Sequence, residues 1–374
     1  MIHVFIGTKA QYVKTAPVLR RLDAEGIPYN LIDSGQHAGF SAALRRELGV
    51  RDPDVYLRQG RDLATVPAVA AWMLQTLLAA AFRPAWARRV LFRGRGGVCL
   101  VHGDNPTTLL AVCLARRVGL HVANLESGLR SHHYLHPFPE EIIRVLVMRR
   151  SELLFAPSEW ACANLRAMRV RGTIVNLGAN TSVEAVQHSL RDAPPSPFGS
   201  GYALVTIHRV ETLHSRARLR TVLRLVTSLA ARGPVVLFLH PPTEAVLRRK
   251  GVYRTLAQTP GLRLSPLLPH RDFLAAVKGA DFVVNDGGSV QEECYYLGVP
   301  CLLMRHRTER LEGLERNVCL SGYDEARIAH FLDHWKDFAA PPVAFATAPS
   351  AIVVDAVQAY AEEGTTRVEG RQPQ

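Results

Sequence analysis

The sequence predicts an α/β protein with two domains, each built around a doubly wound parallel sheet. Short apolar strands alternate with helices along most of the 374 residues, as in repeated βαβ units. Polar residues follow the ends of these strands, where such sheets bind ligands. A stretch rich in proline and glycine, 192–199, separates two series of strands and helices. Because 48% of the residues are hydrophobic, the chain can fill two cores.

We therefore expect an N-terminal domain at residues 1–192 and a C-terminal domain at 193–350, with a ligand cleft at their interface. The helix at 351–364 is expected to rejoin the first domain. The last residues, 365–374, are expected to form a disordered tail in solvent.

Most of the predicted strands are apolar runs bounded by glycine, proline or polar residues. In the first domain they are His3–Ile6, Tyr29–Asp33, Gly97–Val101, His121–Leu125 and Thr173–Asn176, with helices at Tyr12–Leu22, up to Leu48, and at Val183–Leu190. In the second domain they are Ala203–Ile207, Val235–Leu239, Arg263–Leu264, Asp281–Val284 and Cys301–Met304.

The segment Leu63–Phe82 contains no charged residue and is long enough to cross a membrane. Its proline, its polar residues and its many alanines, which contribute little to insertion, argue instead for a buried or dimer-interface helix. We therefore expect a homodimer and no stable membrane span. The arginines of the basic segment 83–96 leave a peripheral membrane contact as the alternative.

Charge and cysteine spacing exclude several classes of function. The formal charge is +12, but no dense basic block with interleaved aromatic residues indicates nucleic-acid binding. The six cysteines lack metal-ligand spacing and are expected to be reduced thiols of a cytoplasmic protein. His132, His133 and His136 lack the carboxylate or cysteine partners of a dependable metal site, so we expect no metal.

The stretch Asn285–Glu293 joins a strand to a helix through Gly287 and Gly288. Two glycines allow a close approach of the backbone, and the N–H groups of the helix start favour an anion such as a diphosphate. Glu293 lies one turn after Ser289, where it would accept hydrogen bonds from a ribose diol. A tight turn without a ligand is the alternative. The polar groups that follow the neighbouring strands favour the nucleotide site.

Three acidic residues of the first domain, Asp104, Glu126 and Glu140, lie at separate strand and helix ends. Acids that meet at one crevice, with cations nearby, can take different acid and base roles. Cations at a helix start oppose the helix dipole, so Lys9 and Lys14 favour a negative ligand. The residues expected around these acids are Lys9, Lys14, Gln36 and Arg130. In the second domain, His208, Arg209, His240, Gly287, Gly288, Ser289, Glu293 and Arg310 would hold a nucleoside diphosphate, and Phe273 either stacks on a base or packs in the core.

Eight short motifs, taken in order, resemble the UDP-N-acetylglucosamine 2-epimerase family. They are Lys9-x-x-x-x-Lys14, Gly35-Gln36-His37, His102-Gly103-Asp104, Glu126-Ser127-Gly128-Leu129-Arg130, Pro137-Phe138-Pro139-Glu140-Glu141, His208-Arg209-Val210-Glu211, Asp286 to Glu293 and Thr308-Glu309-Arg310. The resemblance covers residues 2 to 335 and implies a GT-B-type fold of two Rossmann-like domains. Non-hydrolysing enzymes of that family interconvert UDP-GlcNAc and UDP-ManNAc by eliminating and re-adding UDP, without a metal or redox cofactor.

The resemblance also implies a role for each matched residue. Asp104, Glu126 and Glu140 correspond to acids that remove and return the C2 proton, and His208 acts near the leaving diphosphate. Lys9, Lys14, His240, Gly287 to Ser289 and Arg310 would contact the phosphates, Glu293 the ribose and Phe273 the uracil. Gln36, His37, Arg130 and Arg209 complete the expected substrate-binding set.

Several positions depart from the family pattern. Lys9 and Gln11 stand where the family has arginine and glutamate, Val210 replaces a second arginine, and Asp286 is followed by Gly-Gly-Ser instead of Ser-Gly-Gly. Lysine lacks the bidentate fork of arginine. Val210, and Ala38-Gly39 where the family has polar residues that help bind a second UDP-GlcNAc, argue against activation by that ligand. Together the departures favour a divergent member.

The leading hypothesis is C2 epimerisation of UDP-GlcNAc or a related amino sugar for a surface polysaccharide or a secondary metabolite. A hydrolysing 2-epimerase that releases free ManNAc and UDP is the nearest alternative. A GT-B glycosyltransferase would use the same nucleotide pocket but would need an acceptor. A nucleotide-sugar sensor would bind the ligand without turnover.

Overall fold

The chain folds into two compact units in the computed structural model, which describes residues 1–35, 38–58, 66–134, 138–191, 193–314, 316–345 and 347–369. Unit 1 is Met1–Ala185 together with the residues from Phe345 onward, and unit 2 is Val186–Ala344. The sequence predicts the boundary after residue 192. The two units instead divide after Ala185, within the helix Ser182–Leu190. Proline and glycine there mark a loop, whereas the packing of the helix decides which unit its residues join.

Unit 1 contains a parallel sheet of seven strands in the order β3-β2-β1-β4-β5-β6-β7. The strands are β1 Ile2–Ile6, β2 Tyr29–Asp33, β3 Val55–Tyr56, β4 Val98–His102, β5 His121–Leu125, β6 Leu153–Ala156 and β7 Thr173–Asn176. The helices are α1 Lys9–Ala24, α2 Ala38–Leu48, α3 Val66–Phe82, α4 Pro84–Trp86, a π-helix Ala87–Leu91, α5 Pro106–Arg117, α6 Glu140–Met148, α7 Glu159–Ala167, α8 Ser182–Leu190 and, at the C-terminus, α16 Pro349–Glu369.

Unit 2 contains a parallel sheet of six strands in the order β10-β9-β8-β11-β12-β13. The strands are β8 Ala203–Thr206, β9 Val235–Leu239, β10 Leu262–Pro266, β11 Phe282–Asn285, β12 Cys301–Leu303 and β13 Val318–Leu320. The helices are α9 Val210–Leu213, α10 Arg216–Arg232, α11 Pro241–Arg249, α12 Tyr253–Ala257, α13 His270–Gly279, α14 Gly288–Leu297, α15 Glu325–His334 and a 3₁₀ turn Trp335–Phe338.

The central strands explain why the apolar pattern predicts this architecture. Every residue of β4 and of β9 is buried, because helices cover both faces of a parallel sheet. Their sequences therefore read as continuous apolar runs. The sequence patterns do not predict β3, β6 and β13. Two of these strands have only two and three residues, so their existence depends on pairing with a neighbour.

Helix α16 packs with unit 1 and contributes Val353, Val354 and Val357 to its core. Glu184 of α8 holds its start, since Ser350 donates its backbone N–H to Oε2 at 2.7 Å and its hydroxyl to Oε1 at 2.6 Å. A carboxylate is favourable at a helix N-terminus. The helix continues to Glu369, so residues 365–369, expected in the tail, are helical, and 370–374 lie outside the described residues.

Helix α3 packs one face on the core through Ala80, with Trp72, Met73 and Leu77 partly buried beside it. Its other face is exposed, contrary to a fully buried helix: Leu74 is 58% and Phe82 82% exposed. In the described parts of the chain, no single helix is long and apolar enough to cross a membrane. The helical segments Ala68–Phe82 and Pro84–Leu91 together have the length and composition of a span, but the chain bends by 99° between them.

A buried histidine lies in the first strand of unit 1. His3 is fully buried, its Nδ1 lies 3.0 Å from Nδ2 of Asn30, and its ring meets that of Phe92 edge-on at 5.2 Å. Burial, together with the positive charge of the N-terminus, lowers the pKa of His3 to about 4. His3 therefore stays neutral in the folded protein at pH values where it is charged in the unfolded chain.

Replacing His3 with glutamine should flatten the acid dependence of stability. Between its unfolded pKa near 6.5 and its folded pKa near 4, the unfolded chain binds the proton and the folded chain does not, so stability falls as the pH falls, by about 3 kcal/mol. Urea unfolding of unit 1 at several pH values measures this loss, with exposed His121→Gln as the control. An unchanged pH slope in His3→Gln would contradict the assignment.

Candidate active site

The candidate residues of both units lie where the strand order reverses. In unit 1 the reversal falls between β1 and β4, which are followed by Lys9 and Asp104; in unit 2 it falls between β8 and β11, which are followed by His208 and Asp286. Parallel sheets bind ligands at such switch points, at the carboxyl ends of their strands. The topology therefore places each set of polar residues at the edge where a ligand is expected.

Glu126 is held at the end of β5 by a cation and an amide. Lys14 of α1 donates to its Oε1 in an ion pair, and Nδ2 of Asn180 donates to the same atom at 2.5 Å. The side chains of the ion pair are only 6% and 8% exposed. The backbone of Glu126 is left-handed, with φ of 61°, a conformation that costs free energy and is frequent at functional sites. Its orientation is therefore set by both the turn and its partners.

Asp104 begins a chain of ionic contacts along α6. Nη2 of Arg144 donates a hydrogen bond to Asp104, and Nη1 donates one to Oε2 of Glu141 at 2.5 Å. Nε of Arg130 donates a hydrogen bond to Oε1 of Glu141 at 2.5 Å. Burial raises the pKa of Glu141, but the hydrogen bond from Arg130 and the charge of Arg144 outweigh it and hold the pKa below its usual value. Arg130, expected at the substrate, is thus engaged with Glu141.

The other predicted residues of unit 1 lie at helix starts or outside the described residues. Glu140 is the half-buried first residue of α6, and Lys9 is exposed at the first position of α1. Gln36 and His37, expected at the substrate, lie outside the described residues. Gln11 joins α1 to the end of β4: its amide nitrogen donates to the carbonyl of His102 at 2.5 Å, and its oxygen accepts from Gly7 N at 2.6 Å. An ionised glutamate cannot make the first of these bonds.

In unit 2 a buried aspartate joins two strand ends. Asp286, which is fully buried, accepts the backbone N–H groups of His208 and Arg209, each at 3.0 Å. The two glycines that follow it leave room for side chains. A Cβ on Gly287 would lie 2.7 Å from Cε1 of His208, and one on Gly288 would lie 2.9 Å from Nε of Arg310. Side chains there would displace the histidine and the arginine, which explains the Gly-Gly order.

His208 stacks on His240 with ring centroids 4.3 Å apart, and Nε2 of His240 lies 3.0 Å from Oγ1 of Thr206. Burial lowers the pKa of His208, and the charges of Arg209 and Arg305 add to this, although Asp286 opposes it. His208 is therefore mostly neutral at neutral pH, and a neutral imidazole can accept as well as donate a hydrogen bond.

Three arginines surround the start of α14. Nη1 of Arg310 lies 3.3 Å from Oε2 of Glu292, while Glu309 lies 2.9 Å from Nη1 of Arg305 and 3.6 Å from Nη2 of Arg209. Burial lowers the pKa of Arg305. With the N–H groups of the helix start, such a cluster can bind a diphosphate.

Glu293 and Phe273 have partners within unit 2. Oε1 of Glu293 lies 3.0 Å from Nε2 of His270, whose Nδ1 is 3.3 Å from Oγ of Ser189. Phe273 packs edge-on against Phe238, with ring centroids 5.5 Å apart, as its alternative role in the core requires. Ser289 is exposed in the first turn of α14. Among the described residues, no group of three His, Cys, Asp or Glu is arranged to hold a metal ion.

A family model described as UDP-N-acetylglucosamine 2-epimerase matches residues 20–344. The chain belongs to this family. It is 28% identical over 328 residues to a UDP-N-acetylglucosamine 2-epimerase of Methanocaldococcus jannaschii, covering 84% of this chain and 86% of the relative. It is also 28% identical to a UDP-2,3-diacetamido-2,3-dideoxy-D-glucuronate 2-epimerase of Pseudomonas aeruginosa, over 83% of this chain and 85% of that protein.

The fold agrees with this family. The crystal structure of the M. jannaschii enzyme in complex with UDP-GlcNAc and UDP superimposes with a TM-score of 0.80 at 25% identity, covering 96% of this chain and 99% of that one. The prediction of a GT-B-type fold of two parallel-sheet α/β domains is therefore confirmed, as is the enzyme class: the chain is an isomerase of the epimerase type.

Several residues that contact the candidate residues of the two units are absent from the sequence-based set. Arg144 and Asn180 contact the predicted acids, and Arg305 and Glu309 form part of the arginine cluster. Asn180, Arg305 and Glu309 all follow strand ends, so the rule that located Asp104 could have found them. Arg144 is the one cation in the otherwise apolar or acidic helix α6, and a cation three residues after Glu141 signals an ion pair.

Changing Asp286 to asparagine should loosen the loop that carries His208. The asparagine side chain keeps one acceptor oxygen for one of the two backbone N–H groups, of His208 or Arg209. Its NH2 group faces the other N–H group, so one charge-assisted hydrogen bond is lost. We expect hydrogen exchange in residues 206–213 to accelerate by about 10- to 100-fold, since such a bond contributes about 1.5–3 kcal/mol. Mass spectrometry measures the exchange, with Asp281→Asn as the matched control. Unchanged exchange would show that Asp286 does not anchor the loop.

Proposed function

We propose that this protein inverts C2 of UDP-GlcNAc or a closely related UDP-amino sugar by eliminating UDP and adding it back. The observation that carries the proposal is the pairing of two carboxylates with cations at neighbouring strand ends of unit 1, Glu126 with Lys14 and Asp104 with Arg144. The M. jannaschii relative, whose structure contains UDP-GlcNAc and UDP, supports the choice of ligand.

The proposal needs two carboxylates because each face of the sugar needs its own proton carrier. Since the C2 proton is only weakly acidic, departure of the diphosphate has to carry most of the elimination. Asp104 and Glu126 are the leading pair, and Glu140 is the third acid. A cation beside a carboxylate favours its charged form, in which an oxygen can accept a proton. Proton transfer by a positioned side chain contributes roughly 10²- to 10⁴-fold to a rate.

Departure of UDP is assigned to unit 2. Arg209, Arg305 and Arg310, with the N–H groups at the start of α14, would stabilise the charge that develops on the diphosphate. Neutral His208 would donate a hydrogen bond to that group. Glu293, which His270 orients, would accept hydrogen bonds from the ribose hydroxyls. Lys14, expected at the phosphates from the sequence, would orient Glu126 instead. Arg130, expected at the substrate, would orient Glu141.

Experiments can distinguish between two candidate sugars and between three fates of the intermediate. The P. aeruginosa relative is named for a diacetamido glucuronate, so a substituted amino sugar is a second candidate substrate. A hydrolysing enzyme would add water to the same unsaturated intermediate, and a glycosyltransferase would need an acceptor. The six cysteines are free thiols, which favours a reducing compartment such as the cytoplasm.

Incubation with UDP-GlcNAc in deuterated water separates these outcomes. We expect NMR to show UDP-ManNAc with deuterium at C2, and deuterium also entering the remaining UDP-GlcNAc, because elimination and re-addition exchange the C2 proton. Free ManNAc with stoichiometric UDP would replace the proposal by hydrolysis. Turnover that appears only with a sugar acceptor would replace it by glycosyl transfer.

We also propose that the exposed face of α3 forms a homodimer. The exposed positions are Ala70, Ala71, Leu74, Gln75, Leu78, Ala81 and Phe82. None of these residues carries a charge, so pairing the face with itself removes apolar surface from water without desolvating a charge. The same patch on both subunits suits a two-fold axis.

Light scattering of the size-separated protein tests this interface. We expect a dimer that becomes a monomer when Leu74 and Leu78, which are 58% and 46% exposed, are both changed to glutamate. Leu267→Glu introduces one glutamate at a residue of unit 2 that is 42% exposed, and this variant should remain dimeric. A monomeric unmodified protein would contradict the proposal.

A further inference from the structure

The positive charge of this protein is concentrated in one segment of unit 2. Residues 212–271 contain eleven arginines and lysines but one acidic residue, Glu244. The chain as a whole has a formal charge of +12, so these residues hold most of the excess. A uniform arginine bias of the chain would not produce such a local imbalance.

Part of this charge lines an open groove beside α10. The groove has a volume of about 630 Å³ and is lined by Arg216, Leu219, Arg220, Leu223, Arg224, Thr227, Lys250 and Val252. The arginines lie four residues apart, so they form a row on one wall with about 6 Å between neighbours. Lys250 is the cation contributed by the segment after α11. Leu219, Leu223 and Val252 supply apolar surface between the charges.

Two other cations of this segment have an acidic partner, whereas those that line the groove have none among the described residues. Arg248 pairs with Glu244 and Arg232 lies 3.8 Å from Asp333. Across the described residues, no ion pair includes Arg216, Arg220, Arg224 or Lys250, and all four are exposed. Four exposed like charges around one groove repel each other. An anionic partner would relieve this repulsion.

We propose that this groove binds an acidic amphipathic helix of another protein. A helix with acidic residues four apart presents carboxylates at about 6 Å, which matches the arginine row, and its apolar residues would cover the half-buried Leu223 and Val252. The groove is lined by none of the residues assigned to the epimerase site. The proposed surface therefore serves recruitment of the enzyme and does not depend on its reaction.

Two other anionic partners fit less well. A membrane surface would favour exposed apolar side chains for insertion, but Leu219 is buried and Leu223 and Val252 are half-buried. A single-stranded nucleic acid would favour aromatic side chains on which bases stack, and no aromatic residue lines the groove as described. The row of charges beside an apolar floor is best matched by a partner with both properties.

Fluorescence anisotropy of the full-length protein with a labelled peptide tests the proposal. The probe is a helical peptide with glutamate at every fourth position and leucine one position before each glutamate. We expect binding that weakens with salt and falls at least about tenfold in the double variant Arg220→Glu, Arg224→Glu, since charge reversal replaces attraction by repulsion. Epimerase turnover of this variant should be unchanged.

Matched controls separate this site from general electrostatic attraction. Arg88→Glu with Arg89→Glu makes the same charge change at exposed arginines of unit 1 and should leave peptide binding intact. A peptide of the same composition with leucine and glutamate on opposite faces should bind more weakly. Equal loss in both double variants would overturn the proposal. Tighter binding of an oligothymidine or of phosphatidylglycerol vesicles, with the same sensitivity to Arg220→Glu and Arg224→Glu, would assign the groove to that partner instead.

Discussion

A buried carboxylate is stable only if cations or N–H donors surround it, and this constraint shapes both candidate sites. Glu126 has Lys14 and Asn180, Glu141 has Arg130 and Arg144, and Asp286 has two backbone N–H groups. Leaving such a charge without its partner costs about 3–5 kcal/mol. The partners are therefore as much a part of the site as the acids.

This constraint also links segments that are far apart in the sequence. Lys14 and Glu126 are 112 positions apart, yet their contact fixes the start of α1 against the end of β5. Gln11 makes a second connection from α1 to the end of β4. In unit 2, Asp286 connects the loop after β8 to the start of α14 in the same way. Polar contacts of this kind determine which loops come together above a parallel sheet.

The strands could be predicted because burial on both faces leaves a continuous apolar run. Tyr29–Asp33, His121–Leu125 and Val235–Leu239 have the same bounds in the structure as in the prediction. The positions of the acids follow from the rule that ligands bind at the carboxyl ends of strands. The partners do not follow from it: nothing local to Lys14 indicates Glu126. The Gly-Gly order after Asp286 is likewise explained only by the nearby side chains of His208 and Arg310.

The division of labour between the two units is the central claim, and Glu126→Gln tests it most directly. Turnover of UDP-GlcNAc and the dissociation constant of UDP should be measured on the same preparation. The account predicts that turnover falls by about 100-fold or more, since a proton carrier is lost, while the dissociation constant stays within about threefold because unit 2 holds the diphosphate. Retained turnover, or a UDP affinity lost together with it, would contradict the account.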